Sequence, residues 1–130
     1  MIEQTELVVT EWNYNPPSIP IEEPWKISNF ITLDVMKKRA STKKGIACRF
    51  SCRFVFEQET ILEYVAEDSY VIDLADIIDK NELLNMVRNS YSKFRDKFDL
   101  RKLGTILSDK SLRTLEENKI DLDAMLPLLK

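Results

Sequence analysis

The sequence predicts an α+β fold in which an antiparallel sheet comes first and helices follow on one of its faces. Three observations carry that reading. Ile46, Cys48, Phe50, Cys52, Phe54 and Phe56 alternate without a break against Ala47, Arg49, Ser51, Arg53, Val55 and Glu57, the period of a half-buried antiparallel strand. Leu83, Val87, Tyr91, Phe94 and Phe98 then recur in steps of three or four, the period of an amphipathic helix. The period changes once along the chain, and 130 residues suit a single hydrophobic core.

Residues 1–25 read as an extended N-terminal arm. Leu7, Val8 and Val9 are a candidate edge strand, and Pro16, Pro17, Pro20 and Pro24 then keep the chain out of any central ladder, because proline has no amide donor. Trp12, Tyr14 and Trp25 punctuate the arm and are expected to anchor it against the body or a neighbouring subunit. Residues 26–130 form the α+β domain itself. Its first strand places Ile27, Ile31, Leu33 and Val35 on one face and Ser28, Thr32 and Asp34 on the other, with Phe30 and Met36 interrupting the polar face, so that this side too is expected to be partly covered. The basic stretch Lys37 to Lys44 is expected to be a loop. After the long alternating strand, Gln58 and Glu59 are expected to turn the chain into a third strand, Thr60 to Leu74, broken near Glu67 and Asp68. Three consecutive strands with short connections make a meander.

The helical half starts at Asp79. Asp79 with Glu82 matches a capping box, and Ile78 with Leu83 stands where a hydrophobic staple would sit. Gly104 is the natural stop of this long helix. A shorter helix is expected over about Ser111 to Glu117, and a last turn from Asp121 before Pro127.

Composition removes several function classes. Apolar residues make up 44% and charged residues 32%, and the 19 basic and 22 acidic side chains leave a net charge of −3, so no global field draws the chain to nucleic acid or anionic lipid. The opening MIEQTELVV lacks the basic flank and apolar core of a signal peptide, and no run approaches about 18 apolar residues, so a cytoplasmic location is expected. The chain has no histidine, which takes away the commonest general base and metal ligand, and its two isolated glycines cannot cradle a phosphate. Cys48 and Cys52 lie on one strand, roughly 13 Å apart at about 3.3 Å per residue, beyond the reach of a disulfide. They are expected to be free thiols without metal. Carboxylates at Asp73, Asp76 and Asp79, Glu116 and Glu117, and Asp121 and Asp123 keep open a small carboxylate-dependent enzyme. No cofactor is expected.

The third strand, ETILEYVAEDSYVIDL from Glu59 to Leu74, resembles the corresponding strand of SecB-like chaperones, with its Glu-Thr lead and its alternation of apolar and acidic residues. The helix DKNELLNMVRNSYSKFRDKFDLRKLGT, Asp79 to Thr105, and the ending KIDLDAMLPLL, Lys119 to Leu129, are similar to that family's long helix and closing segment in its divergent, non-export members. The order of elements agrees over about 100 residues. Where the family has a glycine pair at the bend of the third strand, this chain has Asp68 and Ser69. The resemblance implies a four-stranded antiparallel meander sheet with one long and one short helix on one face, assembled as a homo-oligomer, a dimer or a dimer of dimers. It also implies that unfolded or extended polypeptide is held without ATP. The residues expected to contact such a client are Trp12, Trp25, Phe30 and Met36, with Tyr64 and Tyr70. The alternative is a dedicated adaptor that binds one folded partner, such as a toxin.

Overall fold

The computed structural model describes residues 3–4, 6–23, 26–39 and 42–129. The alternating segment lies at the middle of its sheet. The strands are β1 (Glu3–Gln4), β2 (Val8–Tyr14), β3 (Ser28–Arg39), β4 (Lys43–Phe56) and β5 (Glu59–Asp73), all paired antiparallel. β1 and β2 pair with successive stretches of β5 and so fill one rank. The sheet is therefore four ranks wide, in the order β1/β2, β5, β4, β3. The helix α1 (Lys80–Arg101) crosses one face, and the chain ends in a 3-10 turn (Glu117–Lys119), the short helix α2 (Leu122–Met125) and a second 3-10 turn (Leu126–Leu129). This is the α+β architecture that the two periodicities demand. Among the described residues no helix is long and apolar enough to cross a membrane.

Phe50 and Phe54 of β4 enter the core against α1. Phe50 lies 5.2 Å from Tyr91 and 5.3 Å from Phe94, ring centre to ring centre, and Phe54 stacks on Phe98 at 5.3 Å. Each apolar face covers the other, which is why neither the strand nor the helix would be stable alone. The helix begins as its local signals require: Asp79 accepts the Glu82 amide at 2.8 Å, and the Glu82 side chain returns the bond to the Asp79 amide. Its last residue is Arg101, and Gly104 follows in the left-handed region at φ +80°.

Four local expectations are corrected. The basic loop over Lys37 to Lys44 is mostly strand, because β3 and β4 pair through Lys37 with Ile46, Lys38 with Gly45 and Arg39 with Lys44. Cross-strand acids and carbonyls accept the ammonium groups there: Lys38 reaches Glu67 at 2.9 Å, Lys43 reaches Asp73 at 2.5 Å and Lys44 reaches the Asp76 carbonyl at 2.7 Å. The β4–β5 turn falls one residue earlier than expected, at Glu57 and Gln58, both with positive φ (48° and 68°). β5 does not break at Glu67 and Asp68. Asp68 is buried, but Ser90 donates to it at 2.8 Å and the Lys93 ammonium lies 3.3 Å away, so the strand carries an acid into the core with its bonds met. Finally, residues 110–116 form no helix. The Arg113 carbonyl, which a helix would give to the amide four residues on, accepts the Tyr91 hydroxyl instead.

Candidate functional site

β3 is an edge strand, hydrogen-bonded to β4 along one side only among the described residues. Its register with β4 runs from Ser28 to Arg39 without a bulge, and no proline interrupts it. The opposite edge is different. There the rank is divided between β1 and β2, and β2 is bulged between Val9 and Glu11, where Thr10 Oγ1 donates to the Val65 carbonyl at 3.3 Å. Bulges and short pieces are how sheets blunt an edge against further pairing. β3 has neither bulge nor proline over Ser28 to Met36; the closing turn Leu126–Leu129 packs against the strand, and basic residues stand at its end.

Beside this edge lies a groove of about 600 Å³. Asn29 to Leu33 of β3 make one wall, Phe50 of β4 and Tyr91 of α1 make the floor, and residues 113–116 with Ile120 and Met125 make the far wall. The far wall is an irregular strap held to α1 by side chains. Arg88 forks onto the Glu117 carboxylate, Tyr91 donates to the Arg113 carbonyl, and Leu112 is buried beneath. The charges at its mouth pair with one another: Lys119 lies 2.6 Å from Glu116. Hydrogen bonding from Lys119 holds the Glu116 carboxyl below its ordinary range, and Arg88 does the same for Glu117. The groove thus has half-buried Ile31 and Leu33 on its wall above a buried base of Phe50 and Tyr91, a locally neutralised rim, and a strand edge with no second strand partner among the described residues. Such a site suits an extended chain better than a charged small molecule.

The residues expected from sequence to meet a client are dispersed. Phe30 lines the groove, is 52% exposed and has the Arg53 guanidinium 5.5 Å over its ring. Met36 is half-buried on the same face of β3, opposite Ala47. Trp12 lies in the rank at the other edge, packed on Tyr64 at 5.2 Å and Phe98 at 6.2 Å with the Arg101 guanidinium 5.7 Å away. Trp25 falls outside the described residues. Tyr64 and Tyr70, expected among the contacts, lie in the core instead, 0% and 3% exposed. Both point at α1, where the Tyr64 hydroxyl donates to the Phe94 carbonyl at 2.9 Å and Tyr70 to the Met86 carbonyl at 3.0 Å. Burial pushes both phenols upward, Tyr70 to about 12.

Among the groove residues that sequence reasoning missed are Asn29, Ile31, Leu33, Leu115 and Ile120. Ile31 and Leu33 carry the alternation of a core face and lie half-buried at its margin, whereas Tyr91 carries the helical spacing and is buried, 4% exposed. Cys48 and Cys52 are free, buried thiols, and desolvation raises each from 9.0 to about 12. Among the described residues no three acidic, cysteine or histidine side chains converge as a metal site. Asp73 is paired with Lys43 and Asp79 caps α1, which gives both carboxylates a structural partner.

No family model matches the sequence, and no curated protein matches it. Among solved structures, a SecB-like chaperone from Mycobacterium tuberculosis, in complex with a ChAD peptide from the HigA1 antitoxin, superposes with a TM-score of 0.59 at 10% identity, covering 88% of this chain and 90% of that one. The fold is SecB-like. At that identity the likeness concerns architecture, and the SecB-like sheet with its long helix is the arrangement described above. A protein of unknown function from Streptococcus agalactiae also aligns, with a TM-score of 0.49 at 16% identity over 89% of this chain and 97% of its own.

Proposed function

We propose that this protein is an ATP-independent holdase that captures unfolded or extended polypeptide segments in the groove beside β3. The observation that carries the reading is the juxtaposition of an edge strand of unbroken register with a groove lined by apolar side chains. An unfolded chain supplies what each lacks: main-chain amides for the edge and alternate apolar side chains for the floor. Because every polypeptide has that backbone, affinity needs little sequence selectivity. The antitoxin peptide held by the mycobacterial SecB-like chaperone supports the same class of partner. Phe30 and Met36 extend the contact surface along β3, and Trp12 secures the far edge. The protein works in the cytoplasm, without cofactor, as a dimer or a dimer of dimers.

The test is suppression of aggregation of several unrelated unfolded proteins at equimolar concentration without ATP. The wild-type protein is expected to slow all of them. Phe30→Asp is expected to abolish the effect while light scattering shows an unchanged oligomer. Failure with every client sinks the holdase reading. Activity toward one partner alone favours the second reading, a dedicated adaptor, which the single antitoxin-derived peptide of the mycobacterial neighbour also supports.

A further inference from the structure

Asn29 is an amide on the face of β3 that carries Ile31 and Leu33. It stands on β3 opposite Phe54 and lines the groove together with Ile31 and Leu33. Its Oδ1 accepts the Cys52 thiol at 3.1 Å. Its Nδ2 is buried, and it is the one buried side-chain nitrogen or oxygen without a partner among the described residues. Elsewhere this chain matches its buried polar groups: Tyr64, Tyr70, Asp68 and Ser90 are all bonded. An unmatched donor in such a core calls for an explanation.

The orientation of the amide follows from its neighbour. Burial raises the Cys52 thiol to about 12, so it stays protonated at neutral pH and acts as donor. With the thiol donating to Oδ1 at 3.1 Å, the NH2 group is left over. Asn29 is half-buried and lines the groove, which places its amide at the groove wall.

We propose that Asn29 is the anchor of the groove: its Nδ2 donates to a main-chain carbonyl of the captured segment and sets that segment's register against β3. The inference rests on the capture reading above. It explains why an amide stands where Ile31 and Leu33 show that an aliphatic side chain fits. A carbonyl is also the one acceptor that every client residue carries, so the anchor fixes position without selecting sequence.

The experiment uses the full chain and a fluorescein-labelled peptide of twelve residues with apolar side chains at alternate positions, followed by anisotropy. Asn29→Asp keeps shape and the acceptor for Cys52 but loses the donor; Asn29→Ala removes both. Each is expected to weaken binding about tenfold, with a melting temperature that is unchanged or raised in Asn29→Ala. A series of peptides in which successive amides become esters, whose carbonyls are weaker acceptors, identifies the bonded position. One ester is expected to weaken binding to the wild type several-fold and to leave Asn29→Ala unaffected. Equal affinity of the variants and the wild type overturns the anchor, as does an ester series that acts alike on both. If the wild-type protein binds none of the peptides, the capture reading falls and takes the anchor with it.

Discussion

Phe54 has 2% of its surface exposed and lies nearly parallel to Phe98, at an interplanar angle of 12°. Truncation there leaves a cavity between the sheet and α1 that neither element can close. Phe54→Ala is expected to cost about 3 to 5 kcal/mol in denaturant melts, and a loss below about 1 kcal/mol would show that the core does not depend on this contact. This position was legible from sequence, since the alternation from Ile46 to Phe56 assigns each side chain to a face. Tyr64 and Tyr70 were less so. They were expected among the client contacts, and only the approach of α1 supplies the carbonyls of Phe94 and Met86 that let the phenols be buried.

At the scale of elements, local signals were read correctly where the energy is local. The Asp79 capping box satisfies amides within its own turn, and Asp79→Ala is expected to cost about 1 kcal/mol, measured by thermal or urea unfolding. The turn at Glu57 and Gln58 shows the converse. Two non-glycine residues with positive φ close a two-residue hairpin for which Asn-Gly is the favoured pair. Replacing Glu57 by Asn and Gln58 by Gly together is expected to stabilise the protein by about 1 kcal/mol; no gain in the melt would show that the surrounding strands already absorb the strain. The expected break in β5 and the expected helix over 111–117 failed for a shared reason. Asp68 and the Arg113 carbonyl take partners on α1, Ser90 and Lys93 for the first and Tyr91 for the second, and no local rule announces partners more than twenty residues away.

For the whole molecule, the buried acids of the core set an alkaline limit. Burial raises Cys48 and Cys52 from 9.0, and Tyr70 and Tyr91 from 10.0, each to about 12. The folded state therefore holds these protons more tightly than the unfolded chain, so their contribution is complete below about pH 9 and is lost as the pH rises toward 12. The melting temperature is expected to fall through that window, less steeply once both cysteines are replaced by alanine. A flat profile would show that the groups are not buried in solution. Below it, both thiols in the native protein should resist a thiol reagent until the chain unfolds.

Sequence by itself determined the fold class, the faces of β3 and β4, the start of α1 and the absence of histidine chemistry, because periodicity, capping and composition are properties of neighbouring residues. The tertiary structure alone decided where the groove lies. Its walls come from Asn29 to Leu33 and from Arg113 to Ile120, segments far apart in the chain that meet because α1 turns the strap back over the sheet. It also decided which edge is open, since the bulge of β2 and the unbroken register of β3 depend on pairing with β5 and β4. Burial of a side chain can be read from the pattern of its own element, but the margin of a core depends on how elements pack, and the groove is such a margin.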